Sequence, residues 1–277
     1  MANNQNEDGS WYNLYTNDKA LELNKQSNYS SYIAVAVWHF YLLNQEIEFL
    51  ETFWEMVKNG ILFSLSMQNK NGAIAWNVDE SSNIDEDYLI TGCSSIAKSL
   101  ECAIAICQVL KQHQFEQEWI EAHSKLLAAL ERPSAIFDLK KDRSRFSMDW
   151  YYPILAGIKS KNRINELTSR IKDSFWVKDL GIKCVSDEPW VTVAETSECS
   201  IAFKSIGEDE IAAELLKNAI SIVDINGIPY MGWQFNENIY WPEETPSWTS
   251  AACILAADSN NRLTTAHHLF TKKQFES

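Results

Sequence analysis

Apolar and polar positions alternate in blocks along this chain, and each block is long enough to be a helix. Residues 28–43 are apolar nearly all round, with Ala34, Ala36, Val37 and Trp38 among them, which predicts a buried helix. In residues 45–66, Glu46, Glu48, Glu51, Glu55 and Lys58 interleave with Ile47, Leu50, Phe53, Trp54 and Val57, the period of an amphipathic surface helix. The couple returns four times, at 91–110 with 114–131, 147–158 with 161–172, 191–206 with 209–223, and 246–257 with a short helix over 263–272. Turn segments ending in Trp precede several buried members, at residues 68–76, 181–190, 226–233 and 240–241. Strand signals are confined to short loop pieces such as 182–185.

Five hairpins at spacings of about 40–60 residues predict stacked supersecondary units. The buried helix comes first in each pair, which suits a ring with inner and outer helices. The expected fold is all-α, an α/α toroid of about five hairpins, that is, an incomplete (α/α)6 barrel. One domain over residues 1–277 is expected, with an irregular segment at 1–27. The site is expected on the loops that enter the inner helices, above all at 186–199.

Composition narrows the partners. The net charge of −14 opposes binding to nucleic acid or an anionic membrane. Six Cys without a CxxC pair predict buried free thiols, not a zinc or disulfide framework. No apolar run reaches the ~18 residues of a membrane span, and the polar N-terminus does not read as a signal peptide. A cytoplasmic protein with a small-molecule substrate is the expectation. Eleven Trp predict a pocket with flat, polarizable walls.

Six carboxylates stand at loop–helix junctions beside Trp or Tyr: Asp149, Asp187, Glu195, Glu198, Glu243 and Glu244. Aromatic, partly dry walls raise carboxylate pKa values and favour general acids. Glu195, about one turn into an apolar helix, is the first candidate, with Asp187, Asp149 and His39 as further catalytic candidates. Helix capping competes for Asp149 and Asp187, and a core role competes for His39. Glu198, three residues after Glu195, shares its face or pairs with Thr196 or Lys204. Trp38, Trp76, Tyr151, Trp190, Trp233, Trp241, Glu243 and Trp248 are the expected substrate walls. Arg145 closes the basic run 140–145 and is the expected anion contact.

Several motifs resemble the α/α-toroid proteins grouped with prenyltransferases and terpene cyclases, and more narrowly a bacterial prenyltransferase-like family. They are Ser31 to His39, Leu89 to Gly92, Ser144 to Pro153, Cys184 to Thr192 with Ala194-Glu195-Thr196, and Trp241-Pro242-Glu243 with Trp248 to Ala252. The resemblance runs from about residue 5 to the end. It implies a prenyltransferase-like or cyclase-like protein acting on an isoprenoid in an aromatic, acid-lined pocket. Family members carry a further helical segment before the point where this chain starts, so five hairpins imply a ring left open or closed by a partner or a second copy. Val193 stands where the family favours Gly, which implies a narrower pocket. The acid motif DxDD, the Asp/Cys/His zinc site and the DDxxD motif have no match here, so no cofactor is expected, and Mg2+ only for a diphosphate substrate. Two other readings remain open. One is a carbohydrate-active enzyme on the same fold, a glycosidase, lyase or epimerase. The other is a non-catalytic binding or scaffold protein.

Overall fold

The computed structural model describes residues 2–17 and 19–276. Among these, ten α-helices form: α1 Ser27–Ser31, α2 Ile33–Asn44, α3 Ile47–Leu65, α4 Ile90–Leu110, α5 His113–Glu131, α6 Met148–Leu155, α7 Lys161–Ser174, α8 Val193–Ser205, α9 Asp209–Ala219 and α10 Ser247–Asn261. The strands are two to four residues long and lie in four small sheets. Two compact units result, Met1–Lys141 with Lys273–Ser277, and Asp142–Lys272.

In the first unit, the helix expected over 28–43 is broken at Tyr32. The serines of α1 explain the break: Ser30 Oγ donates to the Gln26 carbonyl (3.0 Å) and Ser31 Oγ to that of Asn28 (3.2 Å). Such back-bonding loosens and bends a helix. α3 and α5 meet through Trp54, Phe115 and Trp119, with ring centroids 5.5–5.9 Å apart.

α4 corrects one expectation: by length and composition alone it is apolar enough to cross a membrane, yet 78% of its most apolar window is buried in the unit. Lys98 and Glu101 interrupt its sequence, and both are buried, 2.6 Å apart. A buried pair persists only if its remaining polar atoms are satisfied. Here Glu101 also accepts the Gln274 backbone N–H at 3.1 Å. Trp38 Nε1 donates to the Gln274 side chain at 2.9 Å, so the segment after Lys272 is held by side chains of α2 and α4.

The second unit contains α6 to α10. Its helices α8, α9 and α10 enclose a core of Val191, Val193, Ala219, Ile222 and Cys253. Val193 therefore fills core and does not narrow a pocket, contrary to the expectation placed on it. Residues 263–272 form turns in place of the expected short helix. The Asp258 carboxylate is the reason. It accepts the Thr264 backbone N–H (2.7 Å) and hydroxyl (2.6 Å), and Arg262 turns left-handed at φ 55°. That arrangement reverses the chain at the end of α10.

A test of the packing lies at Gly60 in α3. A Cβ there would sit 2.4 Å from the Ser30 carbonyl oxygen, a backbone atom. We expect Gly60→Ala to cost about 2 kcal/mol and to lower Tm by roughly 5 °C. Gly92→Ala, whose Cβ would meet only Leu89 at 3.8 Å, should leave Tm unchanged or raise it. Equal responses at the two positions in a thermal melt would contradict this packing.

Candidate active site

The start of α8 is fixed from three directions. The strand Trp190–Thr192 runs directly into it and pairs antiparallel with Gly232–Gln234, which pairs in turn with Ile239–Tyr240. The Val193 N–H donates to the Met231 carbonyl at 3.0 Å. Thr196 Oγ1 accepts the Ile182 N–H at 2.9 Å and donates to the Thr192 carbonyl at 2.6 Å. Gly181 makes this approach possible, since a Cβ there would lie 2.6 Å from Thr196 Oγ1.

Glu195 stands in the first turn of this anchored helix, half-buried. The Cys184 thiol bonds its carboxylate, and burial together with that carboxylate pushes the thiol pKa up. One turn later comes Glu198. Tyr151 Oη donates to Glu198 Oε2 at 2.7 Å and Tyr152 Oη to Oε1 at 3.3 Å. Burial pushes the Glu198 carboxyl up to about 7. The Tyr151 hydrogen bond opposes this, the Glu195 charge reinforces it, and the Tyr152 bond opposes it. Tyr151 is pushed well above its ordinary value by burial and by the Glu198, Tyr152 and Glu195 groups around it. Two acids, two phenols and a thiol therefore share one site. Neither sequence-based partner of Glu198 is used: Lys204 pairs with Asp209 at 2.9 Å, and the Thr196 hydroxyl serves the backbone.

Asp149, in the first turn of α6, is 3% exposed. It does not cap the helix. Arg143 grips both its oxygens at 3.2 Å. Burial raises its pKa to about 6, against the pull of Arg143. Asp187 and Arg145, expected as an acid and an anion contact, bind each other at 2.9 Å in exposed loops. The Arg145 guanidinium holds the Asp187 carboxyl below the ordinary range. The basic run as a whole faces internal groups: Lys140 pairs with Asp85 at 2.8 Å and Lys141 lies 5.7 Å from the Trp76 ring.

Three expected site residues lie in the first unit. Trp38 is built into its core, His39 is half-buried on α2, and Trp76 donates its indole N–H to Asp85 at 3.1 Å. Trp190, Trp233 and Trp241 gather on and beside the small sheet of the second unit, and Trp248 stands in the first turn of α10. Trp190 Nε1 donates to the Trp241 carbonyl at 2.6 Å, and the two rings meet edge to face at 5.2 Å. Tyr240 stacks on Tyr230 at 3.9 Å and meets the edge of Trp233 at 5.0 Å. Trp241 and Trp248 are 52% and 62% exposed, and Glu243 and Glu244 are exposed between them.

Arg143 and Tyr152 were not singled out from sequence, whereas Glu198 was, as one of the six candidate acids. The spacing of Glu195 and Glu198 and the Tyr151-Tyr152 doublet were the visible signals. Among the described residues, no group of three His, Cys, Asp or Glu side chains could hold a metal ion. A separate groove of about 450 Å3 against Ile220, Val223, Ile228 and Ile254 is apolar and contains none of these acids.

No protein-family model matches the chain. In structure it is similar to a D-mannose isomerase, with a TM-score of 0.66 and 14% identity over 96% of this chain and 78% of that one. It is also similar to the cellobiose 2-epimerase of Bacillus thermoamylovorans, with a TM-score of 0.67 and 12% identity over 97% of this chain and 81% of that one. At such identities the likeness shows the fold alone: all-α, of the α/α-toroid class, as the hairpin pattern predicted. In sequence it is similar to the MMP endo-(1,4)-3-O-methyl-α-D-mannosidase of Mycolicibacterium hassiacum, with 37% identity over 267 residues. That relative overturns the prenyltransferase-like resemblance, and the isoprenoid substrate and the transferase or cyclase reaction fall with it. The motifs behind the resemblance lie on loops and inner helices of a fold that hosts unrelated chemistries. Matching 96% of its own length and 72% of its relative's, the chain belongs to the family of this mannosidase.

Proposed function

We propose that the chain is a glycoside hydrolase that cleaves an α-mannosidic bond within a neutral, O-methylated mannose chain, with Glu195 as the reacting carboxylate. The observation that carries this reading is the coupled acid pair Glu195–Glu198 at the start of α8. Breaking a glycosidic bond needs a proton delivered to the departing oxygen, and carboxyl pairs supply it. Below pH about 7 this pair carries a proton, because ionising Glu198 would bury a charge beside a second carboxylate. Both Glu198 oxygens are engaged by tyrosine hydroxyls. Glu195 is bonded, among the described residues, by the Cys184 thiol alone, so Glu195 is the member that reaches substrate.

In the proposed step Glu195 relays the proton held by the Glu195–Glu198 pair to the glycosidic oxygen as the bond to the anomeric carbon breaks, and water adds its hydroxyl to that carbon and returns its other proton to the pair. Glu198, Tyr151 and Tyr152 are positioning residues that set the proton inventory of the pair. Asp149, gripped by Arg143, braces α6 and with it the two tyrosines. The five buried free thiols among the six cysteines support a reducing, cytoplasmic setting.

The test is hydrolysis of an α-(1,4)-linked 3-O-methylmannose oligosaccharide. We expect Glu195→Gln to lower kcat by about 10²–10⁴-fold with Tm nearly unchanged. Wild-type turnover in that variant would remove Glu195 from the reaction. The pH profile gives a second check. The protonated pair is the active form, so kcat/KM should fall as pH rises through about 7. Tyr151 stabilises the ionised form of Glu198 by donating to it, so Tyr151→Phe should move this alkaline limb to higher pH. A limb that stays in place or moves down would contradict the assignment.

A further inference from the structure

We infer that Trp241 is a sugar-stacking platform, a subsite for a mannosyl unit away from the cleaved bond, and that it gives the site its grip on a chain. This rests on the glycosidase reading above.

Trp241 is exposed yet held in place. Its backbone N–H donates to the Gly232 carbonyl at 3.1 Å and its carbonyl accepts Trp190 Nε1 at 2.6 Å. The ring stands at 81° to that of Trp190. Gly232 permits the arrangement, since a Cβ there would lie 2.6 Å from Trp190 Nε1 and 2.5 Å from the Val191 carbonyl. The indole is therefore oriented before any ligand arrives, and its ordering is not charged against binding. A large flat ring, half in water and fixed by its neighbour, suits a ligand with an apolar face.

The platform is also tied to the reacting carboxylate. The Trp190 carbonyl accepts the Cys184 N–H at 3.4 Å, and the Cys184 thiol bonds Glu195. The strand that begins at Trp190 ends where α8 begins. Tyr240, next in the chain, is packed between Tyr230 and Trp233, so it buttresses the hairpin, and Trp241 presents its half-exposed ring. The exposed Glu237, Glu243 and Glu244 nearby in sequence repel an anionic ligand and leave a neutral sugar unopposed. The C–H face of a mannosyl ring lies on the indole, and an O-methyl group adds apolar area to that contact.

Calorimetric titration with an α-(1,4)-linked 3-O-methylmannose tetrasaccharide tests this, in the Glu195→Gln protein so that nothing is turned over. Adding Trp241→Ala should weaken binding about tenfold with little change in Tm, and Trp241→Phe should restore part of it. Unchanged affinity in Trp241→Ala overturns the inference, as does absence of tetrasaccharide binding. Tighter binding of tetramethylammonium than of the sugar also overturns it, because an acidic aromatic site would then be a cation site. Hydrolysis by the wild type is read separately. Trp241-dependent binding without hydrolysis sinks the glycosidase reading alone, and hydrolysis with Trp241-independent binding sinks the inference alone.

Discussion

The second unit depends on one half-buried carboxylate, that of Glu198. A carboxylate taken out of water without partners is strongly unfavourable. Here the compensation comes from Tyr151 and Tyr152, two adjacent hydroxyls on α6. The same contacts lock α6 against α8, and Arg143 on Asp149 locks the start of α6 in turn. Glu195 inherits its position from this arrangement and from the Thr196 and Val193 anchors on either side of it. The bonds that stabilise the helix junction thus also fix the electrostatics of the candidate site.

The first unit meets the same physical demand with a different solution. Its most apolar helix, α4, buries a lysine and a glutamate that pair with each other, and the glutamate also binds the backbone after Lys272. Without those partners the two charges would argue against a core helix; with them the helix is core. In both units the inner helices carry polar groups that the rest of the fold must satisfy.

The hairpins were legible in the sequence because helical periodicity is a local property. The α/α-toroid class followed from the order of buried and amphipathic helices. The place of Glu195 in the first turn of α8 was legible too, as an acid inside an otherwise small-residue helix. The pairings were not. Arg145 and Asp187 lie 42 residues apart, as expected of contacts that only the tertiary fold creates. Read singly, each looked available to a ligand. Tyr151 and Glu198, 47 residues apart, are hidden in the same way. The turns at 263–272 replaced an expected helix because Asp258 captures Thr264. The motifs that resembled prenyltransferases described the fold and not the chemistry. The carbohydrate reading was open from the acids and tryptophans, but residue types alone do not distinguish a sugar face from an isoprenoid chain, and a relative was needed to separate them.

The central claim is that Glu198 holds a proton near neutrality beside a reactive Glu195. It is tested most directly by NMR titration of the protein carrying 13C-carboxyl glutamate. One carboxyl resonance should titrate at about 7 and vanish in Glu198→Gln. Titration of every glutamate carboxyl in the ordinary range near 4.3 would contradict the account.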